Sequence, residues 1–315
     1  MRIADCAVRT PLVRLNAERE GAADIWLKLE NLQPVGSFKV RGAGSAMRLA
    51  GAEALERGVW TASAGNMGRA VAWYARQLQV PCTVVVPDDA PAAKVEAITR
   101  LGARVVSLPF ARYQQIQRER DYEGAAGLLI HPFADRAVMA GNGTIGLEIL
   151  EDLPSVGAVM VPLSGGGLLA GIALVLKLAD PSIRTVGVSM ERAPVMFHSL
   201  RAGRPIQMDE QETLADALAG GIGLDNRHTF RMVQKVVDET LLVTEAEIAA
   251  AMAFALNQLH LVVEGGGAVA LAALMNGKLA LRGEEVVVVL SGGNVEIPQL
   301  LEIAENSAQP LLGRR

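Results

Sequence analysis

"AVMVPLSGGGLLAGIALVLKLAD", residues 158–180, joins an unbroken apolar run to three glycines and then to an apolar segment of helical length. Ala158–Ser164 has the continuous character of a strand covered on both faces. Leu168–Leu178 reads as a buried helix. A strand turning through Gly165, Gly166 and Gly167 into a helix is a unit of open parallel sheets. The glycines have no Cβ, so backbone N–H groups can converge there on an anion, at the positive end of the helix. A phosphate is the natural guest.

The same alternation recurs on both sides of this stretch. Strands are expected at 24–30, 58–63, 82–87, 103–108, 184–189, 239–244 and 284–291 as well as 158–164. Helices are expected at 42–57, 68–78, 92–101, 168–178, 245–259 and 268–275. The expected fold is α/β, with open parallel sheets flanked by helices in two lobes. Residues 1–40 and 142–315 form the larger lobe and 41–141 the smaller. The tail Pro310–Arg315 is expected to fray. Ligands of such sheets bind outside the carboxyl ends of the strands.

Composition narrows the function. The chain has 315 residues, is 50% hydrophobic and carries a net charge of −4, enough apolar material for a large core. It has no basic run or aromatic–basic interleaving, which argues against nucleic acid. Cys6 and Cys82 lie far apart without metal-type spacing. His131, His198, His228 and His260 do not cluster with acids or cysteines at ligand spacing and read as structural or surface histidines. The N-terminal stretch "MRIADCAVRTPLVRL" lacks a signal-peptide core. The apolar run 165–180 is broken by Lys177 and too short to span a bilayer. A cytoplasmic protein without membrane contact is expected.

Three further polar or glycine turns follow runs that read as strands: "ASAGNMG" (62–68), "SGGN" (291–294) and "GGGA" (265–268) after "LVVE". Ser63, Gly65 and Asn66 suit a helix cap, or a carboxylate held on free N–H groups. Ser291 can close a strand or offer its hydroxyl to a heterocyclic nitrogen. In "SFKVRGAG" (37–44), Lys39 sits among apolar and small residues, where lysine is unusual. An amine attacks an aldehyde only when neutral, and desolvation favours that form. Gly165, Gly167 and Gly171, followed by Glu191, also make a loose dinucleotide fingerprint, so a nicotinamide oxidoreductase built on 158–191 stays open. A binding protein without catalysis is the third class.

Taken in order, "SFKVRGA", "SAGN", "SGGGLLAG" and "SGGN" resemble the threonine/serine dehydratase family of fold-type II pyridoxal-phosphate enzymes, over essentially the whole chain. "PLSGGGLLAGIAL", "GVSMERA" and "TLADALAGGIGLDNRHTF" look like the hydroxyectoine-utilisation dehydratases within it. The resemblance implies a two-lobed, tryptophan synthase β-like fold whose larger lobe binds pyridoxal 5'-phosphate. Lys39 would hold the cofactor covalently and act as the catalytic base, and Phe38 would pack by its ring. Asn66 would bond the ring's phenolic oxygen. Ser164, Gly165, Gly166, Gly167 and Leu168 would cradle the phosphate, and Ser291 would pair with the pyridine nitrogen. Ser63, Ala64, Gly65, Asn66 and Met67 would take the substrate carboxylate, and Glu264 would line the cleft. The implied reaction is loss of water from a β-hydroxy-α-amino acid, giving a 2-oxo acid and ammonia. An amino-acid racemase on the same scaffold is the alternative.

Departures from the family refine these expectations. Serine racemases resembling this chain carry a second serine where Ala64 stands, so racemisation is disfavoured. Dehydratases often have histidine where Met67 stands, which suggests an altered pocket or a core methionine. The cation site of several relatives falls on Ser189 and Val195, which cannot replace carboxylates for a hard cation; no metal is expected. The chain ends soon after its last α/β elements, so no C-terminal regulatory domain is expected. A homo-oligomer, dimer or tetramer, is implied by the relatives.

Overall fold

The computed structural model describes residues 3–15 and 24–307; the tail expected to fray lies outside them. In chain order the strands are β1 (Leu12–Arg14), β2 (Ile25–Leu29), β3 (Val59–Ala62), β4 (Cys82–Pro87), β5 (Arg104–Leu108), β6 (Leu128–Leu129), β7 (Val156–Pro162), β8 (Arg184–Met190), β9 (Glu239–Val243) and β10 (Glu285–Leu290). The helices are α1 (Lys39–Leu55), α2 (Asn66–Gln77), α3 (Ala92–Arg100), α4 (Phe110–Glu119), α5 (Arg136–Asp152), α6 (Gly167–Ala179), α7 (Val195–Ala202), α8 (Thr229–Val236), α9 (Glu245–Leu259), α10 (Gly265–Met275) and α11 (Ile297–Asn306). Each predicted strand of the numbered set is present within a few residues. Strands β1 and β6 and helices α4, α5, α7, α8 and α11 were not expected. The run "LVVE" before Gly265 is not a strand, and Gly265–Gly267 form the first turn of α10 rather than a loop.

The chain divides into two units, Met1–Val8 with Gln33–Asn142 and Arg9–Leu32 with Gly143–Arg315. This division and the sequence boundaries differ over residues 1–8, 33–40 and 142, so Lys39 falls in the first unit.

The second unit holds a six-stranded sheet in the order β1-β2-β10-β7-β8-β9. All its pairings are parallel except β1 with β2. Its central strands read EVVVVL and VGAVMVP because both faces are covered, which removes any reason to alternate. Helix α10 is buried along nearly its whole length and packs in the core with β2, β7, β8 and β10. A helix apolar on all sides belongs in such a place. The first unit holds the parallel sheet β5-β4-β3-β6, with α1, α2 and the strand valines around a separate core.

A fully buried ion pair lies inside the second unit. Lys28 on β2 is 0% exposed and Glu148 on α5 is 1% exposed. Lys28 Nζ donates to Glu148 Oε2 at 2.6 Å and to the Thr10 carbonyl at 2.8 Å. Burying two charges is tolerable only because these bonds compensate the desolvation. Lys28→Met removes the ammonium from a buried carboxylate, and a loss of about 3–5 kcal/mol is expected in urea unfolding. Lys28→Met/Glu148→Leu should recover most of it; a double variant as unstable as the single would refute a charge-based account.

Cys6 and Cys82 are free and buried. Burial pushes both thiols up to about 12, with Arg41 partly opposing the rise at Cys6. Both therefore stay protonated near neutrality. No helix among the described residues is long and apolar enough to cross a membrane.

Candidate active site

Strands β7 and β10 are neighbours and run parallel, with Val288 opposite Met160. The turns that leave them, Ser164–Gly167 and Ser291–Asn294, therefore emerge at the same edge of the sheet. The β7 turn passes into α6 through Gly166, whose φ of +84° is left-handed, a conformation glycine adopts without the Cβ penalty. A Cβ there would also lie 2.9 Å from Val233 Cγ2 and 3.0 Å from Met196 Cε. Backbone and packing thus both demand glycine. No side chain caps the start of α6, and first-turn N–H groups of a helix have no intrahelical acceptor. The Ser164 hydroxyl donates to the Leu218 carbonyl at 2.8 Å. The donors this turn offers an anion are consequently backbone N–H groups, reinforced by the helix dipole.

Ser291 is 4% exposed, and no described residue hydrogen-bonds its hydroxyl. Glu264 is also buried and fastens the same turn. Its backbone N–H donates to the Gly292 carbonyl at 3.0 Å, and its Oε2 accepts from the Asn294 N–H at 3.0 Å. A Cβ on Gly267 would fall 2.4 Å from the Gly292 carbonyl oxygen, so the first turn of α10 presses directly on this loop.

The sequence "LDNRHTF" has a structural role that was not foreseen. Asn226 is buried, and its Oδ1 accepts from the N–H groups of Thr229 and Phe230 at 3.1 and 3.2 Å. Its Nδ2 donates to the Ile222 carbonyl at 2.9 Å. These bonds fix the start of α8, whose Thr229 and Val233 form the wall against Gly166. The signal was available: asparagine three residues before the first helical N–H groups is a helix-start pattern.

In the first unit, Lys39 opens α1 beside Phe38. Both are half-buried. Lys39 Nζ donates to the Pro132 carbonyl at 2.7 Å and lies 5.1 Å from the Phe38 ring centroid. The turn Ser63–Gly65 follows β3 and leads into α2 at Asn66. The Ser63 hydroxyl accepts from the Gly65 N–H at 3.3 Å. Gly68 lets α2 lie against that turn, since a Cβ there would be 2.2 Å from the Ser63 carbonyl oxygen. Ser63, Ala64, Gly65 and Asn66 are half-buried, whereas Met67 is 1% exposed and packs in the core. The candidate residues thus fall into two groups: Phe38, Lys39 and 63–67 in the first unit, and 164–168, Glu264 and Ser291 in the second. Among the described residues no group of three or more His, Cys, Asp or Glu is arranged to hold a metal ion.

The donor set fits a phosphorylated pyridine aldehyde. A dipole-backed glycine cradle suits the phosphate, a serine hydroxyl at the end of β10 suits a ring nitrogen, and a primary amine suits the aldehyde. The fold is that of the pyridoxal-phosphate enzymes built on parallel sheets flanked by helices. The family described as "Pyridoxal-phosphate dependent enzyme" matches residues 3–292, and the chain belongs to it. The chain is 43% identical over 277 residues to the L-threonine ammonia-lyase of Thermotoga maritima, covering 87% of this chain and 68% of that protein. It is 37% identical over 305 residues to a catabolic L-threonine dehydratase of Staphylococcus aureus, covering 95% and 87%. Among solved structures it is similar to a threonine deaminase from T.th., with a TM-score of 0.85, 34% identity and coverage of 94% and 96%. Maize serine racemase gives a TM-score of 0.85, 32% identity and coverage of 96% and 93%. The cofactor of this chain is therefore pyridoxal phosphate, and the dinucleotide reading of 158–191 is set aside.

Proposed function

We propose that this protein is a dehydratase/ammonia-lyase that converts a β-hydroxy-α-amino acid of the threonine/serine type into a 2-oxo acid and ammonia. The observation that carries this reading is the group at the end of β10. Ser291 offers a neutral hydroxyl on a residue that is only 4% exposed. When bound, the pyridoxal ring supplies a sink for electrons released at Cα. A serine hydroxyl donates to the ring nitrogen without enforcing its protonation, as a carboxylate would. Such a partner would leave the ring a shallower electron sink than a carboxylate would, which suits loss of a β-hydroxyl. Lys39, its Nζ held by the Pro132 carbonyl, removes the α-proton as general base. The turn 63–66 would take the substrate carboxylate, Asn66 would bond the ring oxygen, and residues 164–168 would hold the phosphate.

The threonine ammonia-lyase and dehydratase relatives support this reading. The serine racemase likeness keeps a second reaction in view. Against it stands Ala64, whose methyl group has no proton to return to the opposite face of Cα. The finer substrate reading, from the sequence resemblance, is an amino acid derived from hydroxyectoine. A panel of L-threonine, L-serine, 3-hydroxyaspartate, phenylserine and such amino acids, scored for 2-oxo acid release and D-isomer formation, tests these statements. Oxo-acid release should dominate with at least one substrate. D-isomer formation in excess would overturn both the lyase reading and the Ala64 argument.

A further inference from the structure

His131 belongs to the turn that presents a carbonyl to Lys39. Its Nδ1 accepts from the N–H groups of Phe133 and Ala134 at 3.2 and 2.9 Å. An Nδ1 that accepts two N–H groups carries a lone pair, so the ring proton resides on Nε2. The ring also meets Phe133 edge-on, 4.8 Å between centroids at 88°. The next helix start is fastened in the same manner by Asp135, whose Oδ1 accepts from Ala137 and Val138 at 2.7 and 3.0 Å.

One peptide group links these contacts. The Phe133 N–H that points at His131 and the Pro132 carbonyl that accepts from Lys39 Nζ at 2.7 Å are the two ends of the same planar unit. In a trans peptide the N–H and C=O point in opposite directions, and rotating one rotates the other. A hydrogen bond to the N–H also polarises the carbonyl as an acceptor. We propose that His131 is a positioning residue for Lys39, setting the orientation of the Pro132–Phe133 peptide and thereby where the lysine amine is held when it is not bonded to the cofactor. This rests on the reading of Lys39 as the covalent lysine. The role demands only an acceptor at that point: an asparagine side-chain oxygen can accept from the same two N–H groups, whereas phenylalanine keeps the ring contact and loses the acceptor.

The test uses the full chain, first stripped of cofactor and then given pyridoxal phosphate. The readouts are the rate of forming a borohydride-stable pyridoxyl adduct, located by peptide mapping, and kcat and KM with the best substrate of the panel above. His131→Phe should slow adduct formation and lower kcat by about 10²-fold, with KM changed less than about 3-fold, the loss expected when a reacting group is misplaced. His131→Asn should restore both rates to within about 5-fold of the parent. Unchanged rates in His131→Phe, or a His131→Asn variant as slow as it, overturn the proposal. If His131→Phe does not fold, His131→Ser against His131→Ala decides in the same way, the serine hydroxyl being the acceptor. A parent adduct on any residue but Lys39 instead refutes the lysine assignment, a result visible before any variant is made.

Discussion

Lys39→Ala is expected to lose turnover by about 10⁴-fold or more, because the variant lacks both the covalent amine and the general base. The parent, reduced with borohydride, should carry one pyridoxyl group on the peptide containing Lys39; the variant should carry none. Cofactor binding itself should survive. The proposed phosphate cradle is 164–168 in the second unit, whose shape depends on Gly166, Asn226 and α8 rather than on position 39. Two observations together therefore define the result: absent chemistry and retained, non-covalent pyridoxal phosphate. A Lys39→Ala protein with substantial oxo-acid production, or with a pyridoxyl group fixed elsewhere, would remove the basis of the proposed mechanism. Loss of activity accompanied by loss of fold is recognised by its melting curve.

Gly166→Ala should weaken cofactor binding as well as the fold. The left-handed backbone penalises a Cβ by about 1–2 kcal/mol, and crowding against Val233 and Met196 adds about 1–3 kcal/mol. The turn can relieve this strain only by moving, and its N–H groups then leave the positions that suit a phosphate. Apoenzyme titrated with pyridoxal phosphate should show a Kd raised about 10- to 100-fold, equivalent to roughly 1.4–2.7 kcal/mol. Gly203→Ala is the matched control. Gly203 ends α7 with φ +69° and would bring its Cβ within 4 Å of nothing. It should lose a similar backbone increment of stability and leave the Kd unchanged. Equal Kd values for Gly166→Ala and the parent would show that this turn does not hold the phosphate.

The strands β7 and β10 were legible because burial on both faces leaves an unbroken apolar run that no turn or surface helix would carry. The glycine motifs were legible as an ordered set, since each stands where an apolar run ends. β1 and β6 were not, because three- and two-residue strands at half-exposed positions hold no periodicity to detect. Gly265–Gly267 misled for a physical reason. Glycine usually signals a bend, but here it permits contact: a Cβ on Gly265 would be 2.0 Å from the Leu214 carbonyl oxygen, and the segment is helical. Close approach between segments remote along the chain leaves no local trace.

The functional residues divide in the same way. Lys39, Gly165–Gly167 and Ser291 could be proposed because an amine, absent side chains and a hydroxyl have definite chemistry and stand in an ordered set of motifs that resembles a known family. Asn226 behind Gly166 and His131 at the far end of the peptide that meets Lys39 are not marked in that way, and the hold of Glu264 on the 291–294 turn was not legible either. Their importance comes from which backbone groups they hold. Chemical capacity resides in single side chains and can be read in one dimension, whereas orientation depends on the particular backbone groups that only the folded chain brings within hydrogen-bonding distance.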